Sequence, residues 1–253
     1  MALTASSIKA NTATESSMKT IGLLGGMSWE STIEYYRLLN ETVKAELGGL
    51  HSAKILMYSV DFEELVALKH KGDWSQIGRI LTEAATRLEA GGADCILLAT
   101  NTMHKVADNI SMSIKIPLLH IADATAEAIK QHNIHRVGLL GTRFTMEEAF
   151  YKDRLIHQHG LAVQVPHSEA RELVHDVIYD ELCLGDIREQ SRDRFRSIIA
   201  DLVEAGAEAV ILGCTEIGLL VQAEDSPVPL FDTTVIHTKA AVEWAIEAIE
   251  ENL

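Results

Sequence analysis

Two short stretches of this chain carry side chains able to move protons or hold a small polar molecule. Cys214 ends the apolar run 210–213 (VILG) and precedes Thr215 and Glu216. A thiol beside a glycine, where backbone or ligand can approach closely, serves as nucleophile or as acid and base. A small buried cysteine packed as a hydrophobe fits the same place. Residues 100–104 (TNTMH) gather the hydroxyls of Thr100 and Thr102 and the amide of Asn101, where a plain strand-to-helix cap needs one such residue. The other thiols, Cys95 in an apolar run and Cys183 in a helical one, read as core.

Other chemistries lack their residues. Residues 22–26 (GLLGG) resemble half of a dinucleotide loop, but the GxGxxG spacing fails and no Walker Lys-Ser/Thr follows, so no nucleotide cofactor is expected. The 11 histidines include no HExxH pair, and His132, His135, His157 and His159 fall in polar stretches that read as solvated surface, so no metal is expected. The three cysteines form no CxxC pair and no secretory signal precedes them, which points to reduced thiols and a cytoplasmic protein. A net charge of −15 repels nucleic acid, and no apolar run approaches the ~20 residues of a membrane span. Residues 1–17, rich in Ala, Ser and Thr, read as a disordered extension.

The elements that must position these groups are written twice. Residues 21–26 (IGLLGG) recur as 137–142 (VGLLGT), 89–100 (EAGGADCILLAT) as 204–214 (EAGAEAVILGC), and 116–119 (IPLL) as 228–231 (VPLF). Three correspondences in one order mark a duplication, and it sets Thr100 opposite Cys214. The apolar runs predict buried parallel strands. Helical spacing predicts helices over 32–47, 74–90, 145–159 and 191–205, and residues 61–70 also suit a helix. Strand and helix in alternation give an α/β fold of two similar parallel-sheet halves. Ligands bind at the carboxyl ends of such strands, where Thr100 and Cys214 both fall.

The assembled motifs resemble the aspartate/glutamate racemase family over nearly all of residues 18–250. Residues 25–36 (GGMSWESTIEYY) with Asn40 look like the opening signature of aspartate racemases. Residues 100–104 are similar to the family's Cys-Asn-Thr-x-His, residues 213–216 (GCTE) to its second catalytic motif, and residues 141–146 (GTRFTM) to a substrate loop. The resemblance implies two domains related by pseudo-two-fold symmetry, here 18–117 plus 231–253 and 118–230, with the active site between them. It further implies a homodimer, an amino-acid substrate, and neither pyridoxal phosphate nor metal. It carries catalysis onto Thr100 and Cys214, and substrate contacts onto Met27, Lys69, Asn101, Thr102, Thr142, Thr145 and Thr215. Most members have cysteine where this chain has Thr100. A smaller threonine/cysteine branch, associated with L-aspartate and L-glutamate, is the nearer match.

Racemisation removes the α-proton from one face of a carbon and delivers a proton to the other, so two groups must flank the substrate. A thiol titrates near pH ~8.5, and a local field is expected to hold Cys214 as a thiolate base. Thr100, a poorer base, is expected to reprotonate the other face, with Asn101, Thr102 and Thr215 cradling the carboxylate. Loss of the first cysteine leaves two alternatives: a single-thiol enzyme similar to arylmalonate decarboxylase or maleate isomerase, and a non-catalytic protein that binds an acidic amino acid.

Overall fold

The computed structural model describes residues 18–250, and the expected extension 1–17 lies outside them. Two four-stranded sheets, every pairing parallel, form its frame. In the first half, β1 (Ile21–Gly25) leads to α1 (Trp29–Leu47), β2 (Ile55–Ser59), α2 (Phe62–His70), α3 (Trp74–Ala90), β3 (Cys95–Leu98), α4 (Ala107–Ser111) and β4 (Leu118–Leu119). The second half runs α5 (Ile121–Gln131), β5 (Arg136–Gly141), α6 (Arg143–Glu147), α7 (Ala149–Asp153), β6 (Ala162–Gln164), α8 (Ser168–Asp180), α9 (Glu189–Glu204), β7 (Ala209–Gly213), α10 (Ile217–Leu220) and β8 (Leu230–Asp232). α11 (Thr233–Glu250) returns to the first half.

The strand orders, β2-β1-β3-β4 and β6-β5-β7-β8, are the same, as the duplication requires. β1, β3, β5 and β7 are covered on both faces, which is why they read as unbroken apolar runs. One face of the first sheet packs under α3, through Ile77, Leu81 and Leu88, and the other under α1 and α11, through Tyr35, Leu39, Ala241 and Val242. The second sheet is covered by α8 and α9 on one side and by α5 and the segment after α6 on the other. β4 belongs to the first sheet and β8 to the second, so the chain crosses after Leu119 and returns after Asp232, each a short strand later than the motifs suggested.

The helix expected over 145–159 is broken. α6 stops at Glu147, Glu148 is extended, and α7 runs into a wide π turn over Arg154–Gln158. Glu148, at the break, pairs with Lys105 of the first half. His159, expected in solvent, is largely covered and lies 2.9 Å from the Asp123 carboxylate.

Candidate active site

Both halves aim the carboxyl ends of their central strands at one narrow cleft. Thr100 and Asn101 follow β3, Cys214 and Thr215 follow β7, and all four line it together with Met27, Thr102, Thr142 and Glu216. The cleft forms where two equivalent strand-to-helix turns face each other.

After β1 the chain turns through Gly26 at φ +89°, where a Cβ would come within 2.4 Å of the Val60 carbonyl. This turn delivers Met27 to the cleft and Ser28 to the head of α1. The Ser28 hydroxyl oxygen accepts from Ser31 N at 3.3 Å, so its proton is free, and it goes across to Glu216 Oε1 at 2.8 Å. In the second half Thr142 heads α6, accepting from Thr145 N, and its hydroxyl meets Thr102 Oγ1 at 2.9 Å.

Cys214 is 7% exposed, and its Sγ donates to Glu216 Oε2 at 2.9 Å; Thr215 Oγ1 donates to the same oxygen at 2.9 Å. Burial, and after it the Glu216 charge, pushes the Cys214 thiol well above its ordinary range. The field expected to favour the thiolate is opposed here: burial and a neighbouring carboxylate rather than a cation favour the thiol at Cys214. Facing it, Thr100 Oγ1 makes no hydrogen bond among the described residues, while the Thr100 carbonyl is gripped from behind. Ile121 N donates to His104 Nε2 at 3.2 Å, which leaves Nδ1 to carry the ring proton and donate to Thr100 O at 2.7 Å.

Asn101 is oriented by its neighbours. Thr233 Oγ1 donates to Leu212 O at 2.8 Å, so it accepts from Asn101 Nδ2 at 3.0 Å, and Asn101 Oδ1 is left buried with no partner. An acceptor orphaned at the cleft wall suits a ligand donor such as an ammonium. The unpartnered atom is an oxygen, whereas an oxyanion cradle needs donors.

Two expected contacts stand behind the wall. Thr145 is fully buried under Thr142, and Lys69 reaches the cleft only through Tyr179, whose hydroxyl accepts from its Nζ. Lys69 is 4% exposed, lies 4.0 Å from the Tyr179 ring centre, and has no carboxylate partner among the described residues; burial lowers its amine to about 8. Cys183, expected in the core, sits in a turn after α8 and lines the cleft with Phe62, Ile178 and Tyr179. Neither motif nor repeat marks these residues, since tertiary packing alone carries the end of α8 to the site. Among the described residues no three His, Cys, Asp or Glu side chains are grouped to hold a metal ion, and no helix is long and apolar enough to cross a membrane.

A family model described as Asp/Glu/Hydantoin racemase matches residues 24–241. A crystal structure described as that of a candidate Asp/Glu racemase from Yersinia pestis is 56% identical, covers 91% of this chain and all (100%) of its own, and superposes with a TM-score of 0.86. An aspartate racemase homologue from Pyrococcus horikoshii is 35% identical over 91% of this chain and 100% of its own, with a TM-score of 0.80. The broad specificity amino-acid racemase RacX of Bacillus subtilis is 22% identical over 67% of this chain and 73% of its own.

Proposed function

The chain belongs to the Asp/Glu/hydantoin racemase family, and from that premise we propose that it is a cofactor-independent racemase of aspartate, glutamate or related amino acids, working by two-base α-proton transfer between Cys214 and Thr100. The observation that carries this reading is the position of those two side chains at equivalent strand ends of two duplicated halves, lining one cleft.

The orphaned Asn101 Oδ1 supports binding of the α-ammonium, and the hydroxyls of Thr102, Thr142 and Thr215 supply polar contacts for the α-carboxylate. The Lys69–Tyr179 pair, a buried cation with no carboxylate partner among the described residues, supports a distal carboxylate on the substrate. Cys214, once a thiolate, takes the α-proton of the L-enantiomer, and the Thr100 hydroxyl gives its proton to the opposite face of the carbanion. Water then restores the threonine proton, and the hydroxide so formed takes the proton from Cys214, which regenerates the thiolate and the water. The enantiomers have equal free energy in solution, so kcat/KM must match in both directions, and the unequal acid strengths emerge in kcat and KM separately.

Chiral chromatography of L-aspartate, L-glutamate and neutral L-amino acids incubated with the protein tests this, with and without pyridoxal phosphate or a chelator. Racemisation unchanged by either additive is expected, and no inversion of any amino acid would sink the reading. The exposed Trp29, Ile33 and Tyr36, one stripe of α1 at helical spacing, support the expected homodimer. Ultracentrifugation of Tyr36→Glu should then show a weakened dimer.

A further inference from the structure

The duplication that sets Thr100 opposite Cys214 also leaves a hollow behind each of them. One lies between α1 and the turn after β7, the other between α7 and the turn after β3. The repeat pairs their walls: Arg37, Gly218, Gln222 and Asp232 of the first stand where Asp153, His104, Asp108 and His120 stand in the second. In the first hollow the polar groups are largely turned on one another, Arg37 on Glu34 and Glu41, Gln222 on Gly218 O, and Asp232 on the amides of Thr234 and Val235.

The second hollow keeps its polar groups unspent. Burial holds the His120 ring neutral, and Ala122 N donates to its Nδ1 at 3.2 Å, so the ring proton sits on Nε2, where no described residue accepts it. Arg154 gives Nε and Nη2 to Asp123, at 2.5 and 2.7 Å, and its Nη1 has no partner among the described residues. The carboxylates of Asp108 and Asp153 line the same hollow and meet no donor among the described residues. Carboxylates repel a simple anion and a guanidinium repels a metal ion, whereas a molecule carrying both an ammonium and a carboxylate satisfies each side. Two carboxylates against one spare guanidinium nitrogen further favour a neutral or basic molecule over an acidic one.

We propose that this hollow is a second site for a free neutral or basic α-amino acid, its ammonium held by Asp108 and Asp153 and its carboxylate by Arg154 Nη1 and His120 Nε2. The occupant stands beside the clamp behind Thr100. The His120 ring packs edge-on against His104 at 4.4 Å, and His104 itself lines the hollow while it donates to Thr100 O at 2.7 Å. Occupancy is thereby coupled to the strand end that carries the proton donor. The coupling rests on the racemase reading, and the site does not.

Glycine is the probe, since it is achiral and inversion leaves it unchanged. Asp108 and Asp153 are exposed, so their exchange for asparagine spares the core. Equilibrium dialysis of radiolabelled glycine should find one more molecule bound per chain in the parent than in the Asp108→Asn/Asp153→Asn double variant, and Asn101→Ala, which strikes the cleft, should keep that extra molecule. At saturating aspartate, where competition in the cleft has vanished, glycine should change kcat by about fivefold in the parent and leave that of the double variant where it was. Equal glycine counts in parent and double variant overturn the site, whatever the protein racemises. An extra glycine that leaves kcat unchanged overturns the coupling, whereas a parent that inverts no amino acid sinks the racemase reading and leaves the count to decide the site.

Discussion

At the scale of single residues the site is unequal by construction. Cys214 has a carboxylate within hydrogen-bond reach, and Thr100 has no side-chain partner for its hydroxyl among the described residues. An unactivated alcohol donates to a carbanion far more readily than it removes a proton. Thr100→Ala should therefore lose racemisation by about 10²-fold or more yet still exchange the α-proton of the L-enantiomer with deuterium oxide, followed by NMR, whereas Cys214→Ala should lose both. Thr100→Ala racemising at the parent rate would remove Thr100 from the mechanism. In the proposed function Lys69 sets specificity through its charge. Its amine is protonated below about 8 and neutral above, because burial among Tyr179 and Phe144 lowers it. KM for aspartate should rise as pH passes 8, while KM for homoserine stays level. Lys69→Met should raise the aspartate KM at pH 7 by about tenfold or more, the worth of one charge-assisted hydrogen bond, and equal effects on both substrates would take Lys69 out of recognition.

At the scale of elements, the segment that crosses between the halves is pinned by buried histidines. His104 takes Ile121 N, and His237 donates from Nε2 to Leu119 O while its Nδ1 accepts from the Tyr35 hydroxyl at 2.9 Å. The His120 ring stacks edge-on against His104 at 4.4 Å. Burial lowers all three, His237 to about 4 and His120 to about 2. A histidine lowered in the folded state takes its proton first when unfolded, so stability is full above the unfolded value of ~6.5 and falls as pH drops toward the folded one. His237 alone accounts for about 3 kcal/mol of loss between pH ~6.5 and 4. Urea unfolding at pH 7.5 and 5 should show this steep decline, and His237→Gln should flatten it.

Much of this architecture is legible in the chain itself, and the exceptions have physical causes. Six strands announce themselves as duplicated apolar runs or post-proline pairs. β2 and β6 do not, since their half-covered residues blur the pattern and, unlike the edge strands β4 and β8, neither follows a proline or a repeated motif. The helix expected over 145–159 has the right periodicity, and the chain breaks it at the extended Glu148, which pairs with Lys105 of the first half. Thr100 and Cys214 could be found because the repeat aligns them. Tyr179 and Cys183 could not, because the end of α8 meets the cleft only after the second half has folded.

At the scale of the whole molecule, the two halves meet through polar contacts that surround the cleft: Ser28 with Glu216, Thr102 with Thr142, Lys69 with Tyr179 and Lys105 with Glu148. Hydrogen bonds of this kind contribute about 1 kcal/mol each, so the seam at the cleft is weaker than the apolar packing of α11 on α5 away from it. A ligand that bridges the halves adds contacts to both sides of the seam and binds only the folded chain. Its stabilisation follows RT ln(1 + [L]/Kd), about 2.7 kcal/mol at a hundredfold excess over Kd, which raises Tm by about 5–10 °C for a chain of this size. Aspartate should produce such a shift in a thermal melt at pH 7. Lys69→Met should need far more aspartate to reach it, because the distal carboxylate loses its cation, yet should respond to homoserine as the parent does. The two titrations separate a collapsed cleft from a lost charge: a variant that responds to neither ligand has lost the site, and one that responds to both equally shows that the acidic side chain is read elsewhere.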